Sequence, residues 1–118
     1  MKFYRSEDKK TVISVMNGEF SAAGYTELKA LMNEGAGEKH LPVVKCDGDK
    51  VTVEVGSVAH PMTAEHLIEW IALETEKGVQ IACLSPDDKP AAEFVLAGGK
   101  PKAVYAYCNL HGLWKADV

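Results

Sequence analysis

The sequence predicts an all-β fold, an antiparallel sandwich or barrel, on three observations. Apolar residues alternate with polar ones in short runs, turn-forming residues separate those runs at regular intervals, and a single segment carries helical spacing.

Taken in chain order, residues 11–15 form the first strand candidate. Residues 25–33 are the helical segment, with Leu28, Leu31 and Met32 on one side and Gly35 as a stop. Residues 43–45 and 50–55 read as a hairpin, because Val51, Val53 and Val55 alternate with Thr52 and Glu54 and Gly48-Asp49 supplies the turn. In residues 66–75, Leu67, Glu69, Ile71 and Leu73 alternate with Ile68, Trp70 and Ala72, which gives a long strand apolar on most of both faces. Strands at 79–84, 91–96 and 102–108 follow, separated by Lys77-Gly78, Ser85-Pro86-Asp87-Asp88 and Ala97-Gly98-Gly99.

A chain of 118 residues with 47% hydrophobic content buries one core and a small appendage. The appendage is expected at residues 1–36, which hold too few apolar residues for a core of their own, with a boundary near residues 33–37. The β domain is expected at residues 37–118, and it contains every histidine. A net charge of -4 argues against a nucleic-acid surface and against a polybasic membrane patch. No apolar stretch is long enough to span a bilayer, and the N-terminus becomes charged too early for a signal peptide, so a cytoplasmic protein is expected. Cys46, Cys83 and Cys108 are odd in number and widely spaced, as suits reduced thiols; Cys83 is expected to be buried in a strand and Cys46 to lie near a turn.

The chemistry is concentrated in the histidines. His40, His60, His66 and His111 are the whole set, and His111 stands three residues after Cys108. Three of them have an ordinary reading alone: His40 as a loop residue, His60 as a turn residue before Pro61, His66 as a half-buried histidine entering a strand. Together with Cys108-x-x-His111, a spacing at which one tight turn delivers two ligands to one ion, they point to a mononuclear metal site. Structural zinc takes four tetrahedral ligands, whereas four imidazoles and a thiolate suit a five-coordinate ion with an open position opposite sulfur, which favours iron. A structural zinc or iron module without redox catalysis is the alternative. A copper electron-transfer site would use two histidines and a weak axial methionine, and the fourth histidine counts against it.

The stretches Glu38-Lys39-His40-Leu41-Pro42, Val55-Gly56-Ser57-Val58-Ala59-His60-Pro61-Met62, Glu65-His66-Leu67-Ile68-Glu69-Trp70 and Tyr107-Cys108-Asn109-Leu110-His111-Gly112-Leu113-Trp114 resemble the superoxide reductases, also called desulfoferrodoxins or neelaredoxins. The order and spacing of the ligand candidates agree with that family from Glu38 to the C-terminus. The resemblance implies an immunoglobulin-like antiparallel β-sandwich and a non-haem iron with His40, His60, His66 and His111 equatorial and Cys108 axial. It implies reduction of superoxide to hydrogen peroxide. Glu38 would then ligate the oxidised iron, with Gly35 and Gly37 as hinges, and Lys39 would attract the anion. Electrons would come from rubredoxin or another small donor.

The N-terminal segment resembles the family's desulforedoxin-like module without its metal. Ser6 to Lys9 and Ala22-Ala23-Gly24 stand where the family has Cys-x-x-Cys and Cys-Cys-Gly, so all four thiolates are missing. Such a module implies a structural or dimer-forming role, hence a homodimer. The backbone N–H groups of Asn109, Leu110 and His111 are expected to face the sulfur of Cys108 and tune it. Trp70 and Trp114 are expected to be core aromatics, and Pro61 to aim His60.

Overall fold

A computed structural model describes residues 1–32 and 37–118. Ten strands and one short helical turn follow in the order β1 (Lys2–Ser6), β2 (Val12–Val15), β3 (Tyr25–Leu28), α1 (Gly37–His40), β4 (Pro42–Asp47), β5 (Lys50–Val55), β6 (Ile68–Thr75), β7 (Val79–Cys83), β8 (Ala91–Val95), β9 (Pro101–Cys108) and β10 (Gly112–Asp117). They form three antiparallel sheets, ordered β2-β1-β3, β10-β9-β6-β7 and β4-β5-β8. The all-β expectation is borne out, and the second and third sheets make the sandwich. Among the described residues no helix is long and apolar enough to cross a membrane.

The alternation in β5 explains one half of the sandwich. Val51, Val53 and Val55 are fully buried on its inner face, where they meet Ile71, Leu73 and Phe94. Burying an aliphatic side chain of this size contributes about 1.5–3 kcal/mol, enough to fix the register of β5, since a one-residue slip would turn all three outward.

Strands β6 and β9 behave differently because both of their faces are covered. From β9, Val104, Ala106 and Cys108 face the sandwich core, while Ala103, Tyr105 and Tyr107 face a second cluster with Phe3, Ala72 and Leu113. The sheet β10-β9-β6-β7 is thus a middle layer between the other two. Phe3 of β1 packs against Trp70 at 4.9 Å and Tyr105 at 5.2 Å, and the N-terminal ammonium lies 3.5 Å from Glu74. The unusual apolarity of residues 68–73 therefore has a physical cause, two cores on one strand.

The pairing of β6 with β9 shifts register between Ile68 and Trp70. That irregularity places Ile68 and Ile71 in the same core although they are an odd number of residues apart.

Several expectations are corrected. Residues 25–28 of the expected helix are strand β3, with Phe3 opposite Leu28 and Ser6 opposite Tyr25. Leu31 forms a parallel bridge with Trp114, its N–H reaching Leu113 O at 2.9 Å and its carbonyl accepting from Lys115 N at 3.0 Å. Long-range pairing overrides a short helical pattern whose leading residues, Tyr25 and Thr26, suit a strand better. Asn33, the expected stop at Gly35 and most of the expected boundary lie outside the described residues. The strand expected from His66 begins at Ile68. Cys83 is in a strand as expected but exposed, because β7 is an edge strand; it lies opposite Trp70 and lines an open groove with Phe3 and Val12. Cys46 is exposed one residue before the Asp47–Lys50 turn.

Candidate metal centre

Four structural devices bring the histidines to one end of the sandwich. His40 closes the α1 turn, whose Leu41 N–H bonds back to Gly37 O at 2.8 Å. His60 and His66 lie in the loop between β5 and β6, where His60 N donates to Val55 O at 2.9 Å and the 63–66 turn is closed by Thr63 N to His66 O at 2.9 Å. Cys108 ends β9 and pairs with Gly112, so Asn109, Leu110 and His111 form a three-residue loop between β9 and β10. Gly112 has φ +84°, a left-handed conformation that this tight loop requires and that a side chain would strain.

The four imidazoles form a closed square. Neighbouring ring centroids are 4.8 Å apart for His40 and His60, 4.7 Å for His60 and His66, 5.0 Å for His66 and His111, and 4.9 Å for His111 and His40. Each ring is steeply inclined to the next, by 70° to 82°. His40 Nε2 is 3.2 Å from both His60 Nε2 and His111 Nδ1. The donor atoms of His40, His66, Cys108 and His111 all lie within 4.8 Å of one another, and Cys108 Sγ is 3.7 Å from His111 Nδ1. All five expected ligand residues are therefore brought together.

This donor set fits a first-row transition metal. Two donors at right angles around an ion with bonds of about 2.1 Å stand about 3 Å apart, close to the separations seen here. His66 Nε2 is a buried nitrogen with no hydrogen-bond partner, the one such side-chain atom among the described residues. A buried ring nitrogen without a partner, on a ring flanked by His60 and His111, is costly unless a cation takes its lone pair.

The surroundings prepare the donors. His60 Nδ1 is 2.7 Å from Pro61 O; a carbonyl only accepts, so Nδ1 carries the proton and Nε2 presents its lone pair to the square. Pro61 thus aims His60 through its carbonyl. Burial, together with the neighbouring imidazoles, drives the His60 pKa from 6.5 down to about 4, although the Pro61 bond opposes this. His66 is lowered as well, by burial first and then by the charges of His111, His40 and Lys39. Both rings are held neutral, the form that binds metal. Burial raises the Cys108 thiol above its ordinary value, partly offset by the backbone N–H groups of His111 and Leu110 directed at the sulfur. The third expected donor is elsewhere: Asn109 N–H goes to Leu67 O at 3.3 Å.

The lowered histidines make a prediction for the metal-free protein. Between about pH 4 and 6.5 the unfolded chain binds protons that His60 in the folded state does not. Stability is therefore fully present above 6.5 and lost as pH falls through the folded value. The thermal midpoint of apo-protein should climb with pH across this window, and a flat midpoint would show that His60 is not held neutral.

Glu38 and Lys39 occupy the exposed side of α1 and lie outside the ring of donors. Their backbone is fixed, with Glu38 O accepting from Val58 N at 2.9 Å and from Ser57 Oγ at 3.2 Å. A Cβ on Gly56 would lie 2.6 Å from Glu38 O and 2.9 Å from Lys39 C, so only glycine lets the two backbones meet. Trp114 stacks on His40 at 4.8 Å and 19°, and its Nε1 donates to His111 O at 3.2 Å. Gly56 and the contact of Trp114 with two of the histidines were not legible in the sequence; the sole signal was that both lie inside the motifs that hold the histidines.

Residues 32–117 match the desulfoferrodoxin family. The chain belongs to that family. It is 41% identical to a desulfoferrodoxin of Clostridium acetobutylicum over 125 aligned residues, covering 100% of this chain and 97% of the relative. A superoxide reductase of Pyrococcus abyssi is 41% identical over 100 residues, covering 70% of this chain and 87% of that protein. Among solved structures, the superoxide reductase from Treponema pallidum superposes with a TM-score of 0.79 at 35% identity, covering 98% of this chain and 96% of that one. Family membership agrees with the sandwich, and the His/Cys cluster is of the kind that a mononuclear iron would use.

Proposed function

We propose that this chain is a superoxide reductase that converts superoxide to hydrogen peroxide at one iron held by His40, His60, His66, His111 and Cys108. The observation that carries the reading is the square of four imidazoles with a buried thiol beside it, in a chain of the desulfoferrodoxin family. A bound iron would supply one electron and an open coordination position. Overall, superoxide takes up one electron and two protons.

The chain's own residues do the rest. His60 and His66 are kept neutral and so bind without first losing a proton. The Cys108 sulfur would donate charge to a bound metal, moderated by the Leu110 and His111 N–H groups. Lys39, whose charge is felt at His66, attracts the anion to a protein with net charge -4 and carries a proton at the rim. Glu38, on the same turn, would offer its carboxylate to the oxidised metal and leave the open position free in the reduced state.

Cys108 is the one cysteine in the donor cluster, and Cys46 and Cys83 are exposed, so re-reduction needs an external carrier, rubredoxin or another small electron donor. Residues 1–36 serve as a metal-free module and residues 37–118 as the iron-binding domain. A homodimer in which the first module participates would cover Met16, Val79 and Ile81, exposed apolar residues around one groove. Unpaired thiols and an acidic surface suit the cytoplasm.

The test is the visible spectrum of reduced, iron-loaded protein before and after a pulse of superoxide. A new red-region thiolate-to-Fe(III) band is expected. A colourless, unresponsive sample at full iron occupancy would leave a structural metal module instead. In the same experiment Glu38→Ala should react with superoxide as the parent does, yet show a shifted band in the resting oxidised state. An unshifted band would remove Glu38 as a ligand.

A further inference from the structure

The segment that carries His66 is tied by one residue, Asn109, to the loop that carries Cys108 and His111. Asn109 N donates to Leu67 O at 3.3 Å, its Oδ1 accepts from Leu67 N at 3.0 Å, and its Nδ2 donates to Glu65 O at 2.9 Å. These three bonds bracket His66 on both sides. Asn109 itself is bonded to Cys108 and lies two residues before His111.

The reason such a latch is needed lies in the ladder. Pairing between β6 and β9 is irregular between Ile68 and Trp70, and its last regular partner pair is Ile68 with Cys108. Beyond that point the two chains separate into the His66 turn and the Cys108–His111 loop. The Asn109 side-chain amide takes the place of the missing peptide group, offering one acceptor and one donor in a short, planar arrangement. The backbone N–H and C=O of His66 are already engaged by Thr63, at 3.1 Å to Thr63 Oγ1 and 2.9 Å from Thr63 N. With Asn109 in place, every backbone bond around His66 is tied to the Thr63 turn or to the Cys108 loop. Which end of the amide is oxygen follows from the partners, since Leu67 N–H must donate and Glu65 C=O must accept.

We propose that Asn109 is a positioning residue that sets His66 against Cys108 and His111, so that the donors stay in one arrangement before metal arrives. The proposal rests on reading those three residues as metal ligands. No other side chain makes the same pair of bonds. Aspartate keeps the acceptor for Leu67 but sets a carboxylate oxygen against the Glu65 carbonyl, alanine loses both bonds, and glutamine reaches one carbon too far.

The test is cobalt(II) binding to the apo-protein, measured by competition with a chelator and by the visible spectrum of the bound ion. Asn109→Ala should weaken cobalt binding by about 10–100-fold, the usual range for residues that orient metal ligands, and should alter the cobalt bands. Asn109→Asp should lose part of this affinity and serves also if the alanine variant does not fold. The control is Thr75→Ala, which removes an acceptor of Lys77 N at 3.2 Å and Gly78 N at 3.1 Å at the far end of β6. It should leave cobalt affinity and bands unchanged.

If both Asn109 variants bind cobalt with the parent affinity and spectrum, or lose no more than Thr75→Ala, Asn109 has no positioning role. Because cobalt binding requires no turnover, the two readings fail separately. A chain that holds cobalt through Cys108 yet ignores superoxide when iron-loaded would end the reductase reading and leave the latch intact.

Discussion

Replacing Cys108 with serine is expected to abolish the red thiolate band and to slow superoxide reduction by a hundredfold or more, exceeding the ~10–100-fold typical of groups that only orient ligands. The side chain is fully buried at the end of β9 and is the one thiol among the donors. Burial holds the thiol protonated, and the two backbone N–H groups only partly offset this, so the sulfur is poised to ionise when a metal supplies the missing positive charge. A serine oxygen is a harder, far less acidic donor and cannot push charge onto the metal as sulfur does. It also buries a hydroxyl in a site built for sulfur, a cost of about 1–3 kcal/mol. Cys108→Ala separates the two effects, because it removes the ligand without adding a polar group. The measurement is absorbance of the iron-loaded variants after superoxide, alongside consumption of superoxide itself. A red band surviving in the alanine variant would show that the sulfur is not bound to iron.

How much of this was legible in the sequence depended on whether a residue's role is local. The alternation of Val51, Val53 and Val55 gave β5 directly, since one face of that strand is buried and the other is wet. The unusual apolarity of residues 68–73 was visible too, but its cause, a middle sheet with a core on each side, was not. Strand β10 carries no strand pattern of its own, because Leu113 and Trp114 are buried side by side and break the alternation expected of a half-buried strand. β1 is equally silent in the sequence, because charged residues flank Phe3 and Tyr4, and Phe3 has meaning only against Trp70 and Tyr105.

The site divides in the same way. Histidine and cysteine are scarce and chemically distinctive, so their grouping could be read from the chain alone. Gly56, Asn109 and Trp114 act on Glu38, Leu67 and His40, all distant in sequence, and only their place inside the histidine motifs marks them. For Gly56 the decisive atom is Glu38 O, 18 positions away by the residue numbers, and a glycine before a serine otherwise reads as an ordinary turn.

Trp114→Ala should cost about 3–5 kcal/mol of stability, the range for deleting a buried aromatic, and lower the thermal midpoint by about 10 °C or more. The ring is 3% exposed and lies flat on His40 while its N–H holds the carbonyl of His111, so two neighbouring members of the imidazole square lose support together. Metal affinity should fall with stability in this variant. Trp114→Phe distinguishes the two supports: it keeps an aromatic face for His40 but leaves His111 O without its donor, a loss of about 1 kcal/mol. If the stack is what orients His40, the phenylalanine variant retains most of the cobalt affinity and the alanine variant does not. If the bond to His111 O matters more, both variants lose affinity alike. Parent-like affinity in a folded Trp114→Ala would mean that α1, seated on Gly56, fixes His40 by itself. The tryptophan would then stabilise the sandwich without shaping the metal centre.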